Sequence, residues 1–128
     1  MGNYSEEIKL NVEEAITNLQ AAKEWLQDGH YEHTVSHASE SAFHTARALL
    51  FDEEIEPAKH GDVITLIQEV FVDGRKLTKE QGTNLNWLFA MRNTEEQLAS
   101  IHVTAEEAHR AVQIAESFFE ATKVILEA

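Results

Sequence analysis

A chain of 128 residues has the length of one ordinary domain, so 1–128 is expected to fold as a single unit around one core. At 43% apolar and 26% charged residues it reads as globular, and the lack of cysteine excludes disulfides, thiolate metal sites and cysteine nucleophiles while fitting a reducing cytoplasm. Twenty-three acidic against ten basic residues leave a net charge of −13, which excludes a generic nucleic-acid binder: DNA is not an expected partner, and RNA would need a local basic spot or a basic partner chain.

One proline and five glycines point away from a turn-rich β chain and toward long helices. The first helix is expected from Ser5 to Gln27, with Ile8, Val12, Ala15, Ile16, Leu19, Ala22 and Leu26 as its buried stripe and Asp28-Gly29 as its stop. The second runs from Tyr31 to Phe51. Its stripe is Val35, Ala38, Ser39, Ala42, Ala46 and Leu49, small enough for another helix to approach closely. Asp52–Lys59 reads as a loop carrying Pro57. A short helix follows over Gly61–Val72 and ends at Asp73-Gly74.

Thr78-Lys-Glu-Gln81 has the form of a capping box and opens a helix over 78–99. A second box, Thr104-Ala-Glu-Glu107, opens the last helix, lined by Ala108, Val112, Ala115, Phe119, Thr122 and Leu126. Short connections favour antiparallel neighbours. The expected fold is therefore all-α: an up-and-down four-helix bundle with one short extra helix, five helices in all. No apolar run approaches the roughly 20 residues that span a bilayer, and no secretory signal is visible at the N-terminus, so a cytoplasmic protein without membrane contact is expected.

The residue that stands out is Arg92. On the 78–99 helix it shares a stripe with Leu85, Leu88, Phe89, Glu96 and Ala99, which aims a guanidinium toward the interior or into a groove. Such a charge is costly unless paired or in use. It can pair with Glu96 one turn on, or grip an anion, and the two uses are compatible if an anion displaces Glu96. Arg47 lies beside the second helix's stripe, within reach of the acids of the following loop. His33, His37, Glu40 and His44 share the face of that helix opposite its stripe. The pairs His33/His37 and Glu40/His44 have the i, i+4 spacing at which two side chains can share a metal, but a solvated face is the simpler expectation, and no metal or cofactor is expected.

The stretch Ser36–Leu50, then Pro57-Ala-Lys-His60 with Val63, then Phe71-Val-Asp-Gly74, then Arg92-Asn93, resembles the HEPN family, the higher eukaryote and prokaryote nucleotide-binding domains. The resemblance covers most of the chain. It implies a helical bundle, frequent homodimers and pairing with a small nucleotidyltransferase, and in many members a metal-independent endoribonuclease acting as the toxin of a toxin–antitoxin pair. The family signature is an arginine, four to six residues, then a histidine. Arg92-Asn93 supplies the start, but 97, 98 and 99 hold Gln97, Leu98 and Ala99, and His102 lies nearly three turns away. Glu96-Gln97 looks closer to a branch that lacks the histidine. Arginine can hold a phosphate, whereas glutamine cannot exchange a proton at useful pH.

The resemblance places Lys59, His60, Arg92, Asn93, Glu96 and Gln97 at a ligand-binding site, with His60 otherwise ordering the turn it begins. The reading from the sequence is thus a catalytically degenerate binding module for a nucleotide, RNA or partner protein. The alternatives are an active endoribonuclease in which Arg92 works with His60 or His102, and a helical dimer with no ligand at all.

Overall fold

The computed structural model describes residues 4–97 and 102–127, apart from the side chains of His60 and of 92–97. The fold is all-α: α1 (Ser5–Gln27), α2 (Tyr31–Asp52), a short α3 (His60–Leu66), α4 (Lys79–Gln97) and α5 (Ala105–Glu127). Among the described residues there is no strand, and no helix is long and apolar enough to cross a membrane. Both capping boxes form. Thr78 N–H donates to Gln81 Oε1 at 2.8 Å while Gln81 N–H donates to Thr78 Oγ1 at 3.0 Å. The Thr104–Glu107 pair repeats this at 3.0 and 3.1 Å. Each box satisfies two of the backbone donors that a helix start otherwise leaves orphaned.

The four long helices alternate in direction. Asn18 meets His37 and Asn11 meets His44, so α1 and α2 are antiparallel. Lys23 pairs with Glu116, while Val12 shares a groove with Leu126, so α1 and α5 are antiparallel too. Consequently α2 and α5 run parallel, and they pack closely across the diagonal of the bundle. Ala38, Ala42 and Ala46 of α2 and Ala108, Ala111 and Ala115 of α5 are all fully buried. With no side chain beyond Cβ, these positions let the two axes approach. This makes α2 the central helix, buried on most of its circumference by α1, α4 and α5.

Three features depart from the sequence expectation. The first is the rotation of α1. Asn11, Ala15, Leu19 and Ala22 are buried, whereas Ile16 is 40% exposed in the α1–α5 groove. The stripe is turned because its polar members have partners on α2. Asn11 and Asn18 each donate their amide N–H to the carbonyl one turn back, Glu7 and Glu14, at 2.8 and 2.9 Å. That leaves each Oδ1 to accept from an imidazole: His44 Nδ1 at 2.8 Å and His37 Nδ1 at 3.0 Å. An amide oxygen only accepts, so both histidines carry a proton on Nδ1. Between the two rungs, Ser41 Oγ donates to the Ala15 carbonyl at 2.7 Å.

The second departure is Arg47. Rather than reaching the loop acids, it packs 5.9 Å from the Phe43 ring and 5.3 Å from the Phe51 ring, and its Nε donates to Asn11 Oδ1 at 3.2 Å. The third is the end of the short helix, which widens into a π-helix over Ile67–Val72. Ile67 and Phe71 stay buried there, while Gln68 Nε2 donates to the Gly82 carbonyl at 3.0 Å. A Cβ at Gly82 would lie 2.9 Å from Val72 Cγ2, so the crossing of this segment with α4 requires glycine. At the next turn Arg75, not Gly74, takes the left-handed backbone (φ 64°); Gly74 is needed because a Cβ would lie 2.3 Å from the Val70 carbonyl oxygen. The N-terminal end is tethered by Tyr4, whose hydroxyl donates to Glu56 at 3.2 Å. Partial burial and that carboxylate together raise the phenol's pKa above its ordinary value.

Candidate functional site

Helix α4 is the element on which the sequence places the site. Its start is fixed by the Thr78 box, and Leu85, Leu88 and Phe89 anchor it in the core at 1%, 0% and 6% exposure. The helix continues through Arg92, Asn93, Glu96 and Gln97, whose side chains lie outside the described residues. So does the side chain of His60, the first residue of α3. Lys59, exposed beside it, is the residue that caps α3: its backbone N–H donates to the Asp62 carboxylate at 3.1 Å. His102 is exposed, two residues before the Thr104 box. Gln97 is the last described residue of α4, and His102, the next described residue, is not helical.

The four candidate metal ligands on α2 do not form the solvated face that the periodicity suggested. His37 and His44 are half-buried against α1, each with Nδ1 committed to an asparagine. Glu40 is half-buried as well and lies 3.5 Å from His44 Nε2. His33 is exposed and stacks 4.6 Å from Trp25. Among the described residues, no three histidine or acidic side chains converge on a point that would hold an ion.

The structure adds a feature that the sequence reading passed over. Between α4 and α5 lies a groove of about 310 Å³. Its floor is apolar, made of Leu85, Ile114 and Phe118, each under 10% exposed. Its walls are polar: Gln81 and Asn84 from α4, and Arg110, Gln113 and Ser117 from α5. Among the described residues Arg110 is the one charged residue lining it, and its guanidinium carbon sits 4.1 Å from the centre of the Trp87 ring. A cation so placed is held by the ring's electron-rich face. Glu106 and Glu107 line an adjoining hollow together with Trp87 and Arg110 itself, and Glu107 also accepts from the Thr104 N–H. The signal available in the sequence was the i, i+3 spacing of Gln81 and Asn84 and the i, i+3, i+7 spacing of Arg110, Gln113 and Ser117. Each set puts polar residues next to a buried stripe, but neither says that the two sets face one another.

Comparison with known proteins identifies the family of the helical fold. The HEPN domain model matches residues 8–125. Two proteins of Methanocaldococcus jannaschii are similar along most of the chain. "Putative toxin MJ0142" is 28% identical over 123 residues, covering 96% of this chain and 84% of that protein. "Putative toxin MJ0605" is 36% identical over 112 residues, covering 79% of this chain and 82% of that protein. With the family model spanning all of α1 to α5 but a few terminal residues, this chain belongs to the HEPN family.

Proposed function

We propose that this chain is the HEPN member of a toxin–antitoxin-like pair, a module that binds nucleotide or RNA through the α4 segment around Arg92 and has lost the family's nuclease chemistry. The reading rests on one observation: α4 runs unbroken through Arg92-Asn93 to Gln97, a position at which the family signature would admit a histidine. Breaking RNA through its 2′-hydroxyl needs a group that gives or takes a proton near neutral pH and a cation on the phosphate. Arg92 supplies the cation and its fork geometry suits phosphate oxygens. Gln97 supplies no proton transfer. The names of the two M. jannaschii relatives support the toxin–antitoxin setting.

A charge of −13 favours a basic partner surface over free RNA. The partner in this reading is a nucleotidyltransferase, with the chain itself a homodimer. Cytoplasmic placement follows from the same setting.

The test is to restore the missing group. Wild type, Arg92→Ala, His102→Ala, Gln97→His and the Arg92→Ala/Gln97→His double variant are incubated with a mixed RNA pool without metal. Cleavage is expected from Gln97→His alone, at least tenfold above wild type, and its loss in the double variant. Cleavage by wild type that disappears in both Arg92→Ala and His102→Ala would overturn the degenerate reading and make the chain an active endoribonuclease.

A further inference from the structure

On the α1–α2 seam, His44 stands between two acceptors. Its Nδ1 lies 2.8 Å from Asn11 Oδ1 and its Nε2 lies 3.5 Å from Glu40 Oε1. The facing atom of Asn11 is fixed, because the other end of that amide donates to the Glu7 carbonyl at 2.8 Å, and a carbonyl only accepts. The oxygen therefore faces His44, and Nδ1 must bring the proton. A neutral imidazole has one N–H. With that proton spent on Asn11, Nε2 turns a lone pair toward a carboxylate. Moving the proton to Nε2 serves Glu40 and strands Asn11 instead. Only the imidazolium, with a donor on each nitrogen, serves both.

We infer that His44 is a proton-operated latch on the α1–α2 seam: protonated, it ties Asn11 of α1 to Glu40 of its own helix, and neutral, it keeps Asn11 and lets Glu40 go. The choice between the two acceptors follows from burial. Asn11 is 8% exposed, so losing a donor there is costly, whereas Glu40 is half-buried and can turn toward water. Arg47 Nε also donates to Asn11 Oδ1, at 3.2 Å, which an amide oxygen with two lone pairs can accept together with the imidazole. The charged groups around the ring are Glu40 and Arg47 from α2 and, from α1, Glu7 and Glu14, about one turn to either side of Asn11. Arg47 repels the added charge and the carboxylates attract it.

His37 is the same rung without the latch. Its Nδ1 donates to Asn18 Oδ1 at 3.0 Å, and no carboxylate pairs with its Nε2 among the described residues. A neutral ring satisfies that rung in full. Imidazoles change charge between about pH 5 and 8. The His44–Glu40 contact needs the proton and exists only in the folded chain, so it adds stability as pH falls through that range and withdraws it as pH rises. The latch uses no residue of the α4 segment and stands apart from the function proposed above.

Urea unfolding of the full chain at about pH 6 and about pH 8.5 reads the latch. Other histidines and acids bring their own pH dependence, so the quantity compared is the ratio of unfolding constants, variant to wild type, at one pH. For His44→Gln that ratio is expected to be at least threefold larger in acid than in base. For His37→Gln it should be the same in both. Glu40→Gln is the discriminating change, because its amide can donate to the neutral ring. It should be less stable than wild type at the lower pH and match or exceed it at the higher. Long-range 15N–1H NMR of wild type at the higher pH should find the His44 proton on Nδ1.

The inference is overturned if the His44→Gln ratio does not change with pH, if Glu40→Gln differs from wild type alike at both, or if the neutral His44 ring carries its proton on Nε2. Should His44→Gln fail to fold, Glu40→Gln and the wild-type tautomer decide the matter.

Discussion

The α1–α2 interface and the α4–α5 groove both carry polar residues and use them in opposite ways. Between α1 and α2, asparagine, histidine, serine and arginine are joined in rungs three or four residues apart: Asn18 to His37, the Ala15 carbonyl to Ser41, and Asn11 to both His44 and Arg47. A helix slipped by one residue would break every rung, so the polar groups there fix register. Between α4 and α5, Asn84, Gln113 and Ser117 face a groove without side-chain partners among the described residues. The contrast teaches where to look for a ligand. Polar groups already consumed by the fold explain stability, while those at the solvent-facing groove, with Gln113 and Ser117 exposed, are free to meet something other than this chain.

Stability measurements on matched asparagines are the strongest way to break this comparison. Asn11→Ala removes the acceptor for His44 and Arg47 and leaves both facing a half-buried seam. A loss of about 2–3 kcal/mol is expected from the stranded donors, read from urea unfolding. Asn84→Ala in the same assay should cost under about 0.5 kcal/mol. Equal losses at the two positions would erase the distinction between a structural and an available amide.

The distinction can be sharpened within one helix. Ser41 and Ser39 are both fully buried on α2, but Ser41 donates to Ala15 whereas the Ser39 hydroxyl has no partner among the described residues. Ser41→Ala should therefore destabilise by about 0.5–1 kcal/mol through the lost hydrogen bond. Arg110→Ala should cost about 0.5 kcal/mol, the value of an exposed cation–π pair, while changing the emission of Trp87. The smallest expected effect has the opposite sign. Ser39→Ala should stabilise by about 0.5 kcal/mol, because it removes an unpaired buried hydroxyl and improves helix propensity. A destabilising Ser39→Ala would show that its hydroxyl is in use.

How far the site was legible follows the range of the forces involved. The capping boxes at Thr78 and Thr104 are contacts across three residues, and both formed as the local sequence required. The position of Arg92-Asn93 on a long helix was equally legible, while the expected end of that helix at 99 lies outside the described residues. The pairing of Trp87 with Arg110 was not, since 23 positions separate them and neither spacing encodes which face of α5 meets α4. The fate of Arg47 was misread for the same reason: nearby loop acids were visible in the sequence, whereas its true partner, Asn11, lies on another helix.

By itself the sequence determined the all-α class, the helix bounds to within a residue or two, and the stops and caps. These depend on propensity, on 3.6-residue periodicity and on hydrogen bonds within one turn. Tertiary structure alone decided the rotation of α1, the close diagonal packing of α2 on α5, the π-turn that lets Gln68 reach α4, and the open groove beside Trp87. Each of these depends on which side chain of a distant helix fills the facing space. An apolar stripe states that something will cover it, but only packing settles what does.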